Sequence, residues 1–411
     1  MVKIRKSETS KPLTVAKIHK ILAIGIDTTF IAASAKSAGY NVYAVDYFDD
    51  VDLKEVCDYY KPAIKYCKDR STFFNPYALF KAAKDILKRC HVDAILLSSG
   101  LDDQFDILYK LNSIAPILGN LPSIIRKVRE KRRFFNELKE LGIPYPETAV
   151  IKGVFEAKEA AANMGYPVVL KPVGGFGGTG IRAASNPSEL EGAFSLVSKI
   201  ADEVVVQKLI RGVYASISFL AGEKEVKILS INEQLLGLSS VFQSEPFGYC
   251  GNIVPLQTTK LLFEKCRFIT EKIALHFGLI GSNGIDVVIS EDGTPYVIEV
   301  NPRFQGTLGC VEKVLGINLV DAHVKACLYN ELPTIKPSSN FCTRLILYAP
   351  RRIVVPDLTT LKGVRNIPPP HSIVEKGEPL CSVLAEGESR EISLQKASNL
   401  AKVIYSKLQP L

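Results

Sequence analysis

Residues 284–303 read GIDVVISEDGTPYVIEVNPR, and no other stretch restricts the fold of this chain as strongly. Two apolar runs flank Glu291-Asp292-Gly293, which signals an antiparallel hairpin with strands at 284–290 and 295–300. Asp286 lies on the first strand. Glu299 and Asn301 are two residues apart on the second, so both side chains leave it on one face. The turn brings Asp286 near Glu299. An exposed polar hairpin could carry the same acids, but the flanking VVI and YVI runs mark a buried strand pair. Burying two carboxylates without a cation is costly. Three converging oxygen-bearing side chains suit Mg²⁺, which prefers oxygen ligands and is commonly shared with substrate phosphates. Arg303 follows at once.

The rest of the composition narrows the class. At ~100–200 residues per domain, 411 residues predict two to four domains. The nine cysteines are scattered, with no C-x-x-C pair, which argues against a zinc site or a disulfide scaffold and for reduced thiols. No run approaches the ~20 apolar residues of a membrane span, and residues 1–20 lack a signal-peptide pattern. The reading is a cytoplasmic protein with no membrane partner. The net charge of +8 is dispersed, without the aromatic-interleaved basic stripe of a nucleic-acid binder.

Along the chain, ILAIGI (21–26), NVYAV (41–45) and DAILL (93–97) read as buried strands, with a short one at 115–118. They alternate with helices near 28–38, 76–89 and 103–112, the pattern of a parallel α/β layer. Ligands of such sheets bind beyond the carboxyl ends of the strands, where Asp27, Thr28, Thr29, Asp46, Ser98, Ser99 and Gly100 lie. Residues 122–141 read as one long charged helix, an ordinary solvated face by spacing alone. Beyond the GIPYPE linker come a helix near 155–164 and strands at 167–171, 181–184 and 203–207. Asn186, Pro187 and Glu189 start another helix. Hairpin strands at 213–221 and 224–231, helices near 258–277 and 318–329, a linker at 331–338 and a closing helix at 391–408 complete the pattern.

A second chemical motif is VVLKPVGGFGGTG, residues 168–180. A strand delivers Lys171, and Gly174, Gly175, Gly177, Gly178, Thr179 and Gly180 form a loop whose backbone N–H groups can close around phosphate oxygens. It is not a P-loop, because the lysine precedes the glycines and no G-K-[ST] ends the loop. It is not a dinucleotide fingerprint, because it leads into a strand. In EVVVQKLIRG an apolar strand ends at Gln207-Lys208, and the following backbone could hydrogen-bond an adenine edge. The first strand's Gly25-Ile26-Asp27-Thr28-Thr29-Phe30 also lacks the glycines of a dinucleotide loop.

Taken in order, Lys131, Lys171 with its glycine loop, Gln207-Lys208, Asp286 and Glu299-x-Asn301-Pro302-Arg303 resemble the series found in the ATP-grasp superfamily. The resemblance runs from about residue 20 to the end. It implies a multidomain α/β and α+β fold: a tail (1–19), a preATP-grasp parallel α/β layer (20–124), a two-subdomain ATP-grasp domain (125–333) with a mobile lid at about 147–209, and a small C-terminal β-rich region (334–411). It also implies roles. Lys131 and Lys171 contact ATP phosphates, and loop 174–180 closes over them. Gln207, Lys208, Leu209 and Ile210 hold adenine and ribose. Asp286, Glu299 and Asn301 bind one or two Mg²⁺, or Mn²⁺ instead. Arg303, with Lys171, is catalytic and stabilises an acyl phosphate.

More narrowly, AGYNVYAVDYF (38–48), INEQLLG (231–237), FGYCGNIVP (247–255), NPRFQGTLGCVE (301–312) and IVEKGEPLCSVLAEGESR (373–390) resemble a group of archaeal and bacterial predicted carboligases related to biotin carboxylase. Tyramine–glutamate ligases of methanofuran synthesis and the pyrrolysine-pathway ligase look like distant relatives. The function implied is ATP-dependent ligation of a small-molecule carboxylate to an amine, on an amino acid or small cofactor precursor, by a monomer or homodimer. An ATP-dependent carboxylase is the enzyme alternative, and a degenerate ATP-binding regulatory protein the non-enzyme one. Biotin carboxylases resemble one another in an R-x-Q-V-E-H run; here Arg303-Phe304-Gln305-Gly306-Thr307 lacks the Glu–His, against bicarbonate chemistry. The C-terminal VEKGEPLCSVLAEG lacks the M-K-M site of a biotinyl hairpin. Candidate substrate positions are Asp27, Thr28, Ser99, Glu233, Tyr249, Asn252, Gln305 and Thr307, none diagnostic alone.

Overall fold

The computed structural model describes residues 18–67, 74–336 and 338–410, so the tail expected at 1–19 lies almost wholly outside it. The first layer is a parallel sheet of β1 (Lys20–Ile24), β2 (Asn41–Asp46), β3 (Tyr59–Pro62) and β4 (Ala94–Leu97), in the order β3-β2-β1-β4. Ile21 to Ile24 and Ala94 to Ile95 have no exposed surface, as expected of parallel strands covered on both faces. Beyond the end of β1, Thr28 N and Oγ donate to Asp46 Oδ2 (2.7 and 2.8 Å), which pins the start of helix Thr29–Ser37 against the end of β2. The strand expected at 115–118 is reduced to a single bridge, Ile95 to Ile117.

The long helix expected at 122–141 is two helices, Pro122–Arg129 and Lys131–Glu140. Glu130 between them has φ −71° and ψ 97°, outside the helical region. The break is favoured by what it pairs: Arg129 and Lys131 are buried among carboxylates, whereas Arg126, Arg132 and Arg133 stay exposed.

A small antiparallel sheet follows, with β5 (Thr148–Ile151), β6 (Val168–Pro172), β7 (Arg182–Ala184) and β8 (Val204–Lys208) in the order β5-β8-β6-β7. Helices Val154–Met164 and Pro187–Val197 cover it. Asn186 caps the second, accepting from Ser188 N and Glu189 N. Ile151, Ala157, Val168, Leu170, Leu190 and Val206 give this unit a core of its own.

The largest sheet has eight antiparallel strands in the order β13-β12-β9-β10-β11-β14-β18-β16. They are β9 (Gly212–Ala221), β10 (Val226–Leu236), β11 (Tyr249–Val254), β12 (Gly281–Ser290), β13 (Pro295–Asn301), β14 (Phe341–Tyr348), β16 (Val364–Arg365) and β18 (Pro379–Gly387). The short β15 (Ile353–Val354), β17 (Ile373–Val374) and β19 (Gln409–Pro410) form a separate three-stranded sheet. Helix Leu308–Leu315 was not signalled by the sequence pattern. No described helix is long and apolar enough to cross a membrane.

The segment after residue 334 therefore continues the large sheet. β14 pairs with β11 from Gly251↔Leu345 to Val254↔Cys342. Leu235, Cys250 and Ile253 share one apolar cluster with Phe341, Leu345, Leu347 and Val383. A chain ending at residue 334 would leave β11 as an unpaired edge beside that open cluster. Such a truncation is expected to lose cooperative unfolding and to aggregate, as checked by denaturant titration and size-exclusion chromatography against the full chain.

Candidate nucleotide and metal site

Asp286 and Glu299 are register partners across β12 and β13. Asp286 Oδ1 accepts from Gln234 Nε2 (2.9 Å) and Oδ2 from Asn301 Nδ2 (3.0 Å). Neutral amides are its only hydrogen-bond donors among the described residues. Burial, reinforced by the charge of Glu299, pushes the Asp286 carboxyl up to about 7. Glu299 has the opposite surroundings. Burial acts to raise it, but Lys131 Nζ (3.0 Å) and Arg129 Nη1 (3.1 Å), both on Oε2, hold it well below the usual carboxylate range. Among the described residues no group of three or more His, Cys, Asp or Glu side chains is arranged to hold a metal ion by itself. The donor set is thus two carboxylates and an amide, oxygen chemistry that fits Mg²⁺ rather than zinc. A buried carboxylate lacking a cation is the observation that favours that fit.

Arg303 Nε pairs with Asp102 Oδ1 (2.8 Å), and its Nη2 donates to Asn301 Oδ1 (3.1 Å). Lys171, on β6, donates to Gln207 Oε1 (2.9 Å), and Gln207 Nε2 donates to Thr148 Oγ1 (2.7 Å). Desolvation, then the nearby charge of Lys131, lowers the Lys171 ammonium to about 7. The glycine loop is docked on both sides. Gly175 N donates to Asp103 Oδ2 (3.2 Å), and Tyr249 N donates to Gly177 O (2.9 Å). At Gly178 (φ +74°) a Cβ would lie 1.9 Å from Phe247 O, so only glycine fits. Arg182 forms a two-pronged ion pair with Glu245 near the loop's end.

The structure thus gathers Lys131, Lys171, Gln207, Asp286, Glu299, Asn301 and Arg303 around one cleft beside loop 174–180. Lys208 departs from the expectation: its Nζ donates to Gly165 O and Tyr166 O (3.0 and 3.1 Å). Strand alternation turns it away from Gln207, and Leu209 N is taken by Pro167 O.

The candidate substrate residues divide. Asp27 pairs with Arg344 Nη2 (2.6 Å) and accepts from Asn366 Nδ2 (2.9 Å). Tyr249 donates its hydroxyl to Asn252, the register partner of Arg344 on β14. These residues converge near Gly306, whose carbonyl accepts from Arg344 Nη1 (2.9 Å). The others are engaged within the protein. Thr28 is on Asp46, Ser99 O accepts from Ile26 N, and Glu233 is in a bidentate pair with Arg390 (2.6 and 2.7 Å). Gln305 and Thr307 both hydrogen-bond Ser218 Oγ (2.7 and 3.0 Å) and so anchor segment 303–307 onto the sheet. Sequence reasoning missed Asp102, Asp103, Arg129, Gln234, Arg344 and Asn366. Asp102 and Asp103 could have been found just past the end of β4, and Arg344 as a lone charge within the apolar FCTRLILYA.

Residues 128–307 match the ATP-grasp domain family. That segment is an ATP-grasp domain. An uncharacterized protein of Methanocaldococcus jannaschii is 27% identical over 379 residues, covering 91% of this chain and 90% of that one. The carbamoyl phosphate synthase large chain of Helicobacter pylori is 26% identical over 325 residues, 76% of this chain but only 29% of that relative. Among solved structures, the biotin carboxylase domain of Hydrogenobacter thermophilus 2-oxoglutarate carboxylase, a dimer in complex with MgADP, ADP and bicarbonate, superposes with a TM-score of 0.74 at 17% identity, covering 96% of this chain and 91% of that one. The L-amino acid ligase of Bacillus licheniformis gives 0.70 at 19% identity, covering 94% and 98%. This ATP-grasp fold therefore serves more than one chemistry.

The raised Asp286 carboxyl has a consequence for stability. An unfolded Asp ionises near ~4 and this one near about 7, so between those values the folded state holds the extra proton and stability falls as pH rises. Above about 7 both states are ionised and the penalty is fully present. Asp286→Asn removes it. In metal-free buffer its melting temperature is expected to gain on the parent's between pH 4 and pH 8. A difference independent of pH would refute the assignment.

Proposed function

We propose that this protein is an ATP-dependent carboxylate–amine ligase that works through an acyl phosphate and releases ADP and phosphate. The observation that carries the reading is the placement of Lys131, Lys171 and Arg303 around a part-buried carboxylate pair of which one member, Asp286, is ion-paired to no described residue. A carboxylate does not react with an amine directly, because its leaving group would be oxide. In the proposed first step a substrate carboxylate oxygen attacks the γ-phosphorus of ATP, and ADP departs. In the second the amine nitrogen attacks the acyl carbon, phosphate leaves with the C–O bonding pair, and the amine's proton is released. No nucleophilic side chain is required; the protein positions the groups and offsets charge.

Lys131 and Lys171 would stand against the phosphates, and Arg303 against the oxyanion that forms at the acyl carbon. Asp286 and Glu299, with the Asn301 amide turned over, would hold Mg²⁺, which neutralises triphosphate charge when bound. Loop 174–180, within a lid spanning about 147–209, would exclude the water that hydrolyses acyl phosphates. The backbone at Ile210, beyond the paired amides of Lys208 and Leu209, would serve the adenine edge, and the region around Asp27, Tyr249, Asn252 and Arg344 the second substrate. The MgADP bound by the biotin carboxylase domain supports the nucleotide assignment.

That likeness also favours a carboxylase as second reading. Against it, Thr307 lies where the bicarbonate-activating Glu is expected, and it is hydrogen-bonded to Ser218 beneath. An ADP-release screen with carboxylates and amines varied independently separates the two. Ligation requires a carboxylate–amine pair, whereas carboxylation requires bicarbonate. Products of AMP and pyrophosphate would refute both. Glu299→Gln and Lys171→Ala are each expected to lower turnover at least ~10²-fold while the melting transition survives. Retained turnover in both would refute the site.

A further inference from the structure

We propose that Arg129, gripped by Asp103, is a positioning residue that sets the orientation of Glu299 for a cation and ties it to the glycine loop. The inference rests on the nucleotide and metal reading above.

Arg129 ends helix Pro122–Arg129 in a run of basic residues, yet its side chain is only 3% exposed. A buried guanidinium is tolerated when its donors are paired. Here Nε and Nη2 form a fork onto Asp103 Oδ1 and Oδ2 (2.8 and 2.9 Å). Nη1 turns the other way, to Glu299 Oε2 (3.1 Å) and Val300 O (3.4 Å). A guanidinium can grip one carboxylate with two nitrogens and offer the third to another; a lysine cannot.

The break at Glu130 serves this arrangement. On a continuous helix, side chains two positions apart point to opposite sides. With Glu130 outside the helix, Arg129 and Lys131 both reach the same oxygen, Glu299 Oε2. No described residue hydrogen-bonds Oε1. Two donors from separate helices restrict a terminal torsion that is otherwise broad, and they leave Oε1 for a cation. Asp103 makes no hydrogen bond with Glu299 and acts on it only through Arg129. Its Oδ2 also accepts from Gly175 N (3.2 Å), so one carboxylate connects the glycine loop to the residue that orients Glu299.

The test titrates the full chain calorimetrically with ATP at stepped Mg²⁺ concentrations and again in EDTA. Arg129→Lys keeps the charge but removes the fork. Asp103→Asn keeps the shape but weakens the grip. In each, the Mg²⁺ concentration giving half of the maximal gain in ATP affinity is expected to rise about 10–100-fold. ATP affinity in EDTA should change little, and the unliganded protein, though less stable, should still unfold in one cooperative transition. The double variant should be no worse than the worse single one, because both act along one path. Equal losses with and without Mg²⁺, or additive losses in the double variant, would overturn the proposal. If Arg129→Lys fails to fold, an unshifted Mg²⁺ requirement in Asp103→Asn overturns it alone. A parent protein whose ATP binding ignores Mg²⁺ overturns the nucleotide and metal reading as well. A parent that responds to Mg²⁺ beside unchanged variants overturns only the role of Arg129 and Asp103.

Discussion

Two carboxylates face each other across the strand pair that opened the sequence reading, and both are part-buried. At an effective dielectric of ~20, two like charges 4 Å apart repel by roughly 4 kcal/mol, before the cost of burial is counted. The structure answers with asymmetry. Glu299 receives Lys131 and Arg129 and stays ionised, whereas Asp286 receives only the amides of Gln234 and Asn301 and is pushed up to about 7. Asp286 is thus the member of the pair that no lysine or arginine among the described residues contacts. The same surroundings would be a defect in a purely structural hairpin.

That requirement organises elements far apart in the chain. The β12–β13 pair sits at one edge of an eight-stranded sheet, and Gln234 reaches it from β10, across β9. Lys131 and Arg129 reach it from either side of a helix break, and Arg129 in turn holds the loop after β4. Lys171 arrives from the separate small sheet. Its ammonium is lowered to about 7 by burial and by the cations already present, so its charge depends on what shares the cleft. An anionic phosphate would raise it again. Lys171 is therefore a weaker base than an exposed lysine, and a ligand that brings a compensating anion favours its charged form.

How much of this was legible depended on range. The hairpin, Lys171, its glycine loop and Gln207 were readable because each is fixed by local spacing: a turn signal, strand alternation, glycines where side chains would obstruct. Arg129 was not, because nothing in KVREKRR separates a buried arginine from its exposed neighbours. Its burial depends on Asp103 and Glu299, 26 and 170 residues away. Gln305 and Thr307 read as pocket residues because they follow Arg303, but their direction is decided by Ser218, 87 and 89 residues earlier. A Cβ at Gly284 would overlap the Gln305 amide at 1.8 Å, so the absence of a side chain on β12 makes room for that anchor. The region after 334 reads from sequence as a small β-rich piece, yet it contributes strands of eight and nine residues to the large sheet. Their place in the large sheet is set by pairing with β11, which local pattern does not encode.

The docking of the glycine loop shows why such a site can still exchange its ligand. The small unit that bears the loop has an apolar core independent of the large sheet. The contacts that tie the loop down include Gly175 N on Asp103, Tyr249 N on Gly177 O, the Phe176 ring edge-on to Phe74 (4.9 Å between centroids) and the part-exposed Arg182–Glu245 pair. A hydrogen bond contributes about 0.5–1.5 kcal/mol net and an exposed ion pair about 0–1 kcal/mol. Together they hold the loop by a few kcal/mol, well below what unfolding the unit's core would cost. On the proposed reading the loop would lift as part of an intact body while the carboxylate pair stays fixed. Triphosphate oxygens that take over the Gly175 amide would replace the contact to Asp103 with one made by the ligand itself, so closure would strengthen only when the cleft is filled.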